Sequence, residues 1–269
     1  MTGSLDSTDF FDKNYQSNQT FTNRQVDSYR TKLALNHYWN TNAKSTFTSY
    51  FRSNSVKQNP SYRVKDDYIP WLSIGDANLA HGEINDNSFN SYGIIAQHKQ
   101  KFKFLNSSLI VGGSFDYSPN TYKANYINIY KNNEGVYKSF TKTDSLLVDY
   151  VADLTNVSGY TKLKVEPIKG LHVIGALRFD QFIYAFDNNL GANAYTSVLD
   201  GENLFSRMTP KIGATYDFKK NRGMYANYSQ GFVPPQVGQL YRGNEIPTLK
   251  PVYYTSVEAG GWMSLIKNK

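Results

Sequence analysis

Three features of the sequence predict an all-β protein, specifically part of an antiparallel, up-and-down transmembrane β-barrel of about nine strands. Apolar and polar residues alternate in runs of about ten, and the connections between the runs are short and long by turns. No run approaches the ~20 apolar residues that a membrane helix needs, so a membrane contact would have to be made by strands. Composition agrees: Tyr 22 and Phe 16 contribute to an aromatic content of 15%, against only 19% charged residues. That balance favours strands and polar loops.

Residues 1 to 28 read as a loop or poorly ordered lead-in, and the barrel portion runs from 29 to 269. Strands are predicted at 29–39, 44–52, 91–103, 107–117, 155–166, 171–182, 210–218, 223–230 and 252–264. Three are well patterned. In the fourth, Leu109, Val111, Gly113, Phe115 and Tyr117 oppose Ser108, Ile110, Gly112, Ser114 and Asp116. In the sixth, Leu171, Val173, Gly175, Leu177 and Phe179 oppose His172, Ile174, Ala176, Arg178 and Asp180. In the seventh, Ile212, Ala214, Tyr216 and Phe218 oppose Lys211, Gly213, Thr215 and Asp217.

The links at 40–43, 104–107, 167–170 and 219–223 are short, whereas 53–90, 118–154, 186–206 and 231–251 are long. Strict alternation is the mark of a barrel with tight turns at one rim and long excursions at the other. A soluble sandwich mixes hairpins and crossovers at both ends. Tyr29, Trp39, Phe51, Phe115, Tyr117, Phe218 and Tyr228 near strand ends suit aromatic girdles. In the last long link, Gly231 is expected to let the chain turn, Pro234 and Pro235 to stop pairing, and Pro251 to hold Lys250 extended before the next strand.

The stretch "YSQGFVPPQVGQLYRG…LKP…VEAGGW" resembles the late-barrel region of TonB-dependent outer-membrane receptors. Tyr228, Ser229, Gly231, Phe232, Pro234, Pro235, Leu249, Lys250, Pro251, Glu258 and Gly260 carry the match. "GALRFDQF" at 175–182 resembles the family's Gly-x-Arg-Tyr-Asp strand, and "RMTPKIGATYDF" at 207–218 its Ser-Pro-Lys-x-Gly strand. Val252 departs from the family's usual Glu.

The resemblance implies energy-coupled import of a scarce ligand, such as a ferric siderophore, across the bacterial outer membrane. It also implies a larger barrel plugged by a separate domain through which the TonB complex acts, with this chain a barrel fragment and the plug and TonB box outside it. The implied partners are outer-membrane lipid, the TonB complex and the small-molecule ligand. No cofactor is implied, since iron enters only as part of a transported chelate. A passive porin-like channel and a soluble all-β carbohydrate-binding module or enzyme are the alternatives.

Charge and motifs narrow the chemistry. Lys+Arg 29 against Asp+Glu 22 leaves +7, dispersed without the stripe that marks a nucleic-acid partner. With Cys 0, disulfides and thiol chemistry are excluded. The His at 37, 81, 98 and 172 lack a ligand spacing, and no nucleophile elbow or phosphate loop appears, so neither a metal site nor an enzyme is expected. Arg178 and Asp180 belong on the lumen face, where charge is less costly than towards lipid. Tyr122, Tyr126 and Tyr130, interleaved with Lys123, Lys131, Lys138 and Lys142, are candidates for binding an anionic or catecholate-like chelate by stacking and cation–π attraction. Trp71, Tyr241 and Arg242 on other long links are further candidates.

Overall fold

The computed structural model describes residues 10–13, 23–59, 64–190, 199–219, 221–241 and 249–264. Its strands are β1 (Arg24–Asn40), β2 (Ala43–Gln58), β3 (Lys65–Asp66), β4 (Leu79–Phe102), β5 (Ser107–Lys131), β6 (Tyr137–Ile168), β7 (Leu171–Asn188), β8 (Gly201–Lys219), β9 (Arg222–Val233) and β10 (Val252–Met263). All join one sheet in the order β1-β2-β4-β5-β6-β7-β8-β9-β10, with β3 attached to β4. Every pairing is antiparallel. The alternating runs of the sequence thus become nine strands in hairpin order, and β3 is an addition inside the first long connection.

The short turns lie where expected, but most strands run farther from them than predicted. β1 starts at Arg24 rather than Tyr29, and β4 at Leu79 rather than residue 91. The expected long loop at 118–154 is nearly all paired strand, reversing only at residues 132–136. Tyr, Ile and Thr favour extended backbone, and cross-strand pairs maintain the ladder there without a wholly apolar face.

Register fixes two faces. On one, Leu33, Ser49, Ile94, Phe115 and Val157 lie side by side on five strands. Leu163, Gly175, Ile212, Tyr228 and Val257 form a second row. The large apolar side chains of these rows are exposed. On β5 this apolar face runs from Leu109 to Tyr117, close to the ~9–11 residues of a tilted spanning strand. It ends at the in-register aromatic row Phe51–Tyr92–Tyr117.

Beyond that row the same face turns polar. Ser88 and Thr121 hydroxyls meet at 2.7 Å. One row farther, Lys57, Asp86, Lys123 and Asp149 stand in register across β2, β4, β5 and β6, with ion pairs of 3.7 Å and 3.1 Å.

The opposite face is polar within the same span. Asp116 accepts hydrogen bonds from Tyr50, Arg52, Ser91 and Ser118. Arg178 grips Asp180 through Nε and Nη2 at 2.8 Å and 2.7 Å, and Nη2 also donates to Ser158. A two-pronged pair of this kind fixes geometry as well as charge.

Glycines on this face answer aromatic partners directly across the ladder. Gly93 lies opposite Tyr50, Gly112 opposite Tyr160, Gly223 opposite Trp262, Gly231 opposite Tyr254 and Gly260 opposite Tyr225. A Cβ at any of them would sit within 3 Å of the partner's ring or hydroxyl. Gly231 is therefore not the turn the sequence suggested. It is a strand residue, and the end of β9 is set by Pro234 and Pro235, which follow Val233 at once. β10 begins directly after Pro251, as expected.

Candidate functional site

The polar face changes character where it passes the limit of the apolar band. At even positions β7 carries Phe182, Tyr184 and Phe186, and β6 carries Tyr150, Ala152 and Leu154 in register with Asn188, Phe186 and Tyr184. Because side chains alternate along a strand, every second residue meets this face. The result is an aromatic wall. Tyr122 stacks on Tyr150 with ring centroids 5.6 Å apart, Tyr150 leans on Phe186 at 5.0 Å, and Phe186 lies parallel to Tyr241 at 4.0 Å. Tyr184 meets Phe205 edge-on at 5.6 Å.

The segment after β9 folds back onto this wall. A single helical turn, Val237–Leu240, buries Leu240, and Tyr241 follows it into the cluster. Asn203 Nδ2 donates to the Tyr241 hydroxyl at 2.6 Å, so this ring is fixed at both its face and its tip. Burial pushes the Tyr150 and Tyr241 hydroxyls above the ordinary phenol range and keeps them neutral. Neutral hydroxyls beside π faces suit a planar or partly apolar ligand that offers hydrogen-bond groups.

Farther from the apolar band the same face holds buried polar groups. Asn85 Nδ2 donates to Glu83 Oε1 at 2.8 Å, and the Tyr122 hydroxyl reaches the same oxygen at 3.3 Å. Tyr126 stacks on His81 at 5.3 Å. His81 Nε2 in turn lies 2.8 Å from Asp67 Oδ1, which ties the β3–β4 loop to the sheet.

The six loop candidates are therefore dispersed. Tyr122 and Tyr241 share the wall, and Tyr126 continues the same face. Tyr130 stands exposed near the β5–β6 hairpin end, its hydroxyl 3.3 Å from Thr141 Oγ1. Trp71 is 83% exposed in the β3–β4 loop, away from the wall. Arg242 lies outside the described residues.

The interleaving of tyrosines with lysines needs correction. Lys123 and Lys131 alternate with Tyr122, Tyr126 and Tyr130 on one strand, so they point to the other face. There Lys123 pairs with Asp149 and Lys131 with Asp66. Arg178 and Asp180 occupy the polar face, and they pair with each other.

Tyr150, Tyr184, Phe186, Glu83 and Asn85 were not singled out by sequence. The every-second-residue series Phe182–Tyr184–Phe186 was the legible signal for the wall. Asn85 is flanked by Gln58 of β2 and Ala124 of β5, and Glu83 by Tyr126 of β5, neighbours that no local pattern shows. Among the described residues, no group of three or more His, Asp or Glu is placed to hold a metal ion.

The family model described as "TonB dependent receptor-like, beta-barrel" matches residues 2–261. The chain belongs to this family. Its fold is that of a TonB-dependent receptor barrel wall, and solved receptors show the same arrangement. The unliganded ferric citrate transporter FecA aligns with a TM-score of 0.63 at 14% identity, over 86% of this chain and 31% of that one. The siderophore receptor PiuA from Acinetobacter baumannii gives 0.62 at 16%, over 89% and 38%. The closed form of the ferric-catecholate import receptor Fiu from E. coli K12 gives 0.62 at 14%, over 91% and 39%. The chain thus spans about a third of the length of the receptors it matches. No curated protein matches the sequence.

Proposed function

We propose that this chain forms one wall of an outer-membrane receptor that imports a scarce ligand by TonB-dependent transport. The observation that carries the proposal is the segregation of the two faces within a barrel wall of this family. An exposed apolar band of spanning height backs directly onto a polar network built around Asp116 and the Arg178–Asp180 pair. In water such a band would be a liability, whereas in a bilayer it is the required surface.

In this reading the apolar face meets lipid, the polar face lines the lumen, and the long hairpins reach outside the cell. A ferric siderophore is the proposed cargo, its iron carried as part of the chelate rather than as a resident cofactor. Three solved neighbours are a ferric citrate transporter, a siderophore receptor and a ferric-catecholate import receptor, and the aromatic wall gives a planar chelate faces to stack on. The TonB complex would act through a plug domain inside the completed barrel.

Uptake by the full receptor tests this. In receptor-deficient cells it should restore accumulation of an iron-labelled siderophore, and collapse of the proton-motive force should abolish that accumulation. Uptake that survives the collapse would instead indicate a passive porin-like channel.

A further inference from the structure

The apolar band carries a polar row close to the short turns. His37, Ser45 and His98 stand in register across β1, β2 and β4, and the next strand continues the row with Val111. They edge a groove of about 590 Å³, lined on the apolar face by Leu35, Phe47, Ala96 and Val111 and at the intervening strand positions by Asn36, Thr46 and Gln97. The volume falls in the ~300–1,000 Å³ range of pockets that hold small molecules.

Resting on the membrane reading above, we infer that this groove binds one glycerophospholipid of the leaflet nearest the short turns. Its phosphate or ester oxygens would sit at His37, Ser45 and His98, and an acyl chain would lie along Leu35, Phe47, Ala96 and Val111.

The polar end of the groove calls for an acceptor. Trp39 Nε1 donates to Ser45 Oγ at 2.9 Å, and the same oxygen lies 2.9 Å from His98 Nδ1. An indole nitrogen only donates. If Ser45 gives its proton to Nδ1, the His98 ring proton is on Nε2 and is unspent. If Nδ1 carries the proton and donates, the Ser45 hydroxyl proton is unspent. Either tautomer leaves a donor at the groove, and a donor facing hydrocarbon alone is costly.

Depth supports the same occupant. His37 lies four residues before the β1–β2 turn, roughly 13 Å along a strand rising ~3.3 Å per residue and less along the membrane normal once the strand tilts. The row therefore sits near the boundary between headgroups and acyl chains. Trp39, still closer to the turn, packs edge-on against His37 at 4.3 Å, in keeping with an interfacial anchor. On the hydrocarbon side of the row, Ala96 beside Phe47 leaves the space that a larger side chain would fill.

The test is native mass spectrometry of the full receptor in dodecyl maltoside with added palmitoyl-oleoyl phosphatidylglycerol or phosphatidylethanolamine. Heat-modifiable gel migration reports that each variant is folded. One retained phospholipid is expected. Ser45→Ala combined with His98→Leu should lower retention about tenfold or more, the loss expected for hydrogen bonds to a charged group. Ala96→Phe should abolish retention by filling the groove, while Leu177→Phe, on the same face but outside it, should not. A folded receptor whose lipid retention is unchanged in both groove variants, or that retains lipopolysaccharide there instead, would overturn the inference. A receptor that stays monodisperse in water without detergent would overturn the membrane reading beneath it as well.

Discussion

Gly93 has the Tyr50 ring where a side chain would begin: a Cβ would stand 2.0 Å from Tyr50 Cζ. The ring is also held in place by its hydroxyl, which donates to Asp116. Gly93→Ala should therefore destabilise by ~1–3 kcal/mol, the usual cost of overpacking. Gly159 meets nothing within 4 Å, and Gly159→Ala should stay within about 0.5 kcal/mol of the parent. Denaturant midpoints of the two variants in the full receptor check both.

Asp67 offers a pH test. The Asp76 backbone N–H and then His81 hold its carboxyl below the ordinary 3.8. A lowered folded value means that its contribution to loop order is present above the unfolded value and is lost as pH falls through the folded one. Amide exchange at Asp76 should accelerate below about pH 4 in the parent, a step that Asp67→Asn should remove. No such step in the parent would show that this carboxylate does not organise the loop.

The strands themselves were legible wherever one face was apolar and the other was not. Val111, Leu177 and Ile212 announced their strands because period-two alternation between oil-like and polar residues has no other simple reading. β5 continues beyond Tyr117 with tyrosines on one face and lysines on the other, among Asn, Ser and Thr, where composition resembles a loop and only cross-strand partners reveal a ladder. Gly231 was misread for a related reason. A glycine beside two prolines looks like a turn, and its actual requirement, the Tyr254 ring, lies 23 positions away in the sequence. The aromatic wall was half legible: Tyr122 and Tyr241 were marked, but their contacts run through Tyr150 and Phe186, which register alone brings between them.

Leu177→Arg should cost roughly 2–4 kcal/mol if the residue lies at mid-membrane, whereas Thr121→Arg, near the charged ladder, should cost about 0–1 kcal/mol. Equal costs would show that the apolar band is not the lipid surface. In the full receptor, an epitope inserted at Glu134, in the β5–β6 turn, should be labelled on intact cells, and one inserted at Lys169 should not. The reverse pattern would invert the topology.

For the molecule as a whole, the sheet has two ends. β1 and β10 close the order without pairing to each other among the described residues. Unpaired backbone groups in hydrocarbon cost several kcal/mol each, so a spanning sheet must close. The 269-residue chain on its own should give no stable conductance in planar bilayers, and steady single-channel currents would contradict its reading as one wall of a larger barrel.

Whether one face of this wall meets lipid and the other an aqueous lumen can be read directly by scanning β5. The sequence contains no Cys, so single cysteines at positions 109 to 123 of an otherwise cysteine-free full receptor can each carry a nitroxide. Collision with oxygen reports lipid and collision with a nickel chelate reports water. From 109 to 117, odd positions should favour oxygen and even positions nickel, with the odd positions turning to nickel beyond Pro119, where the apolar face ends. Uniform accessibility along β5, or oxygen preference at even positions such as Asp116, would contradict the account.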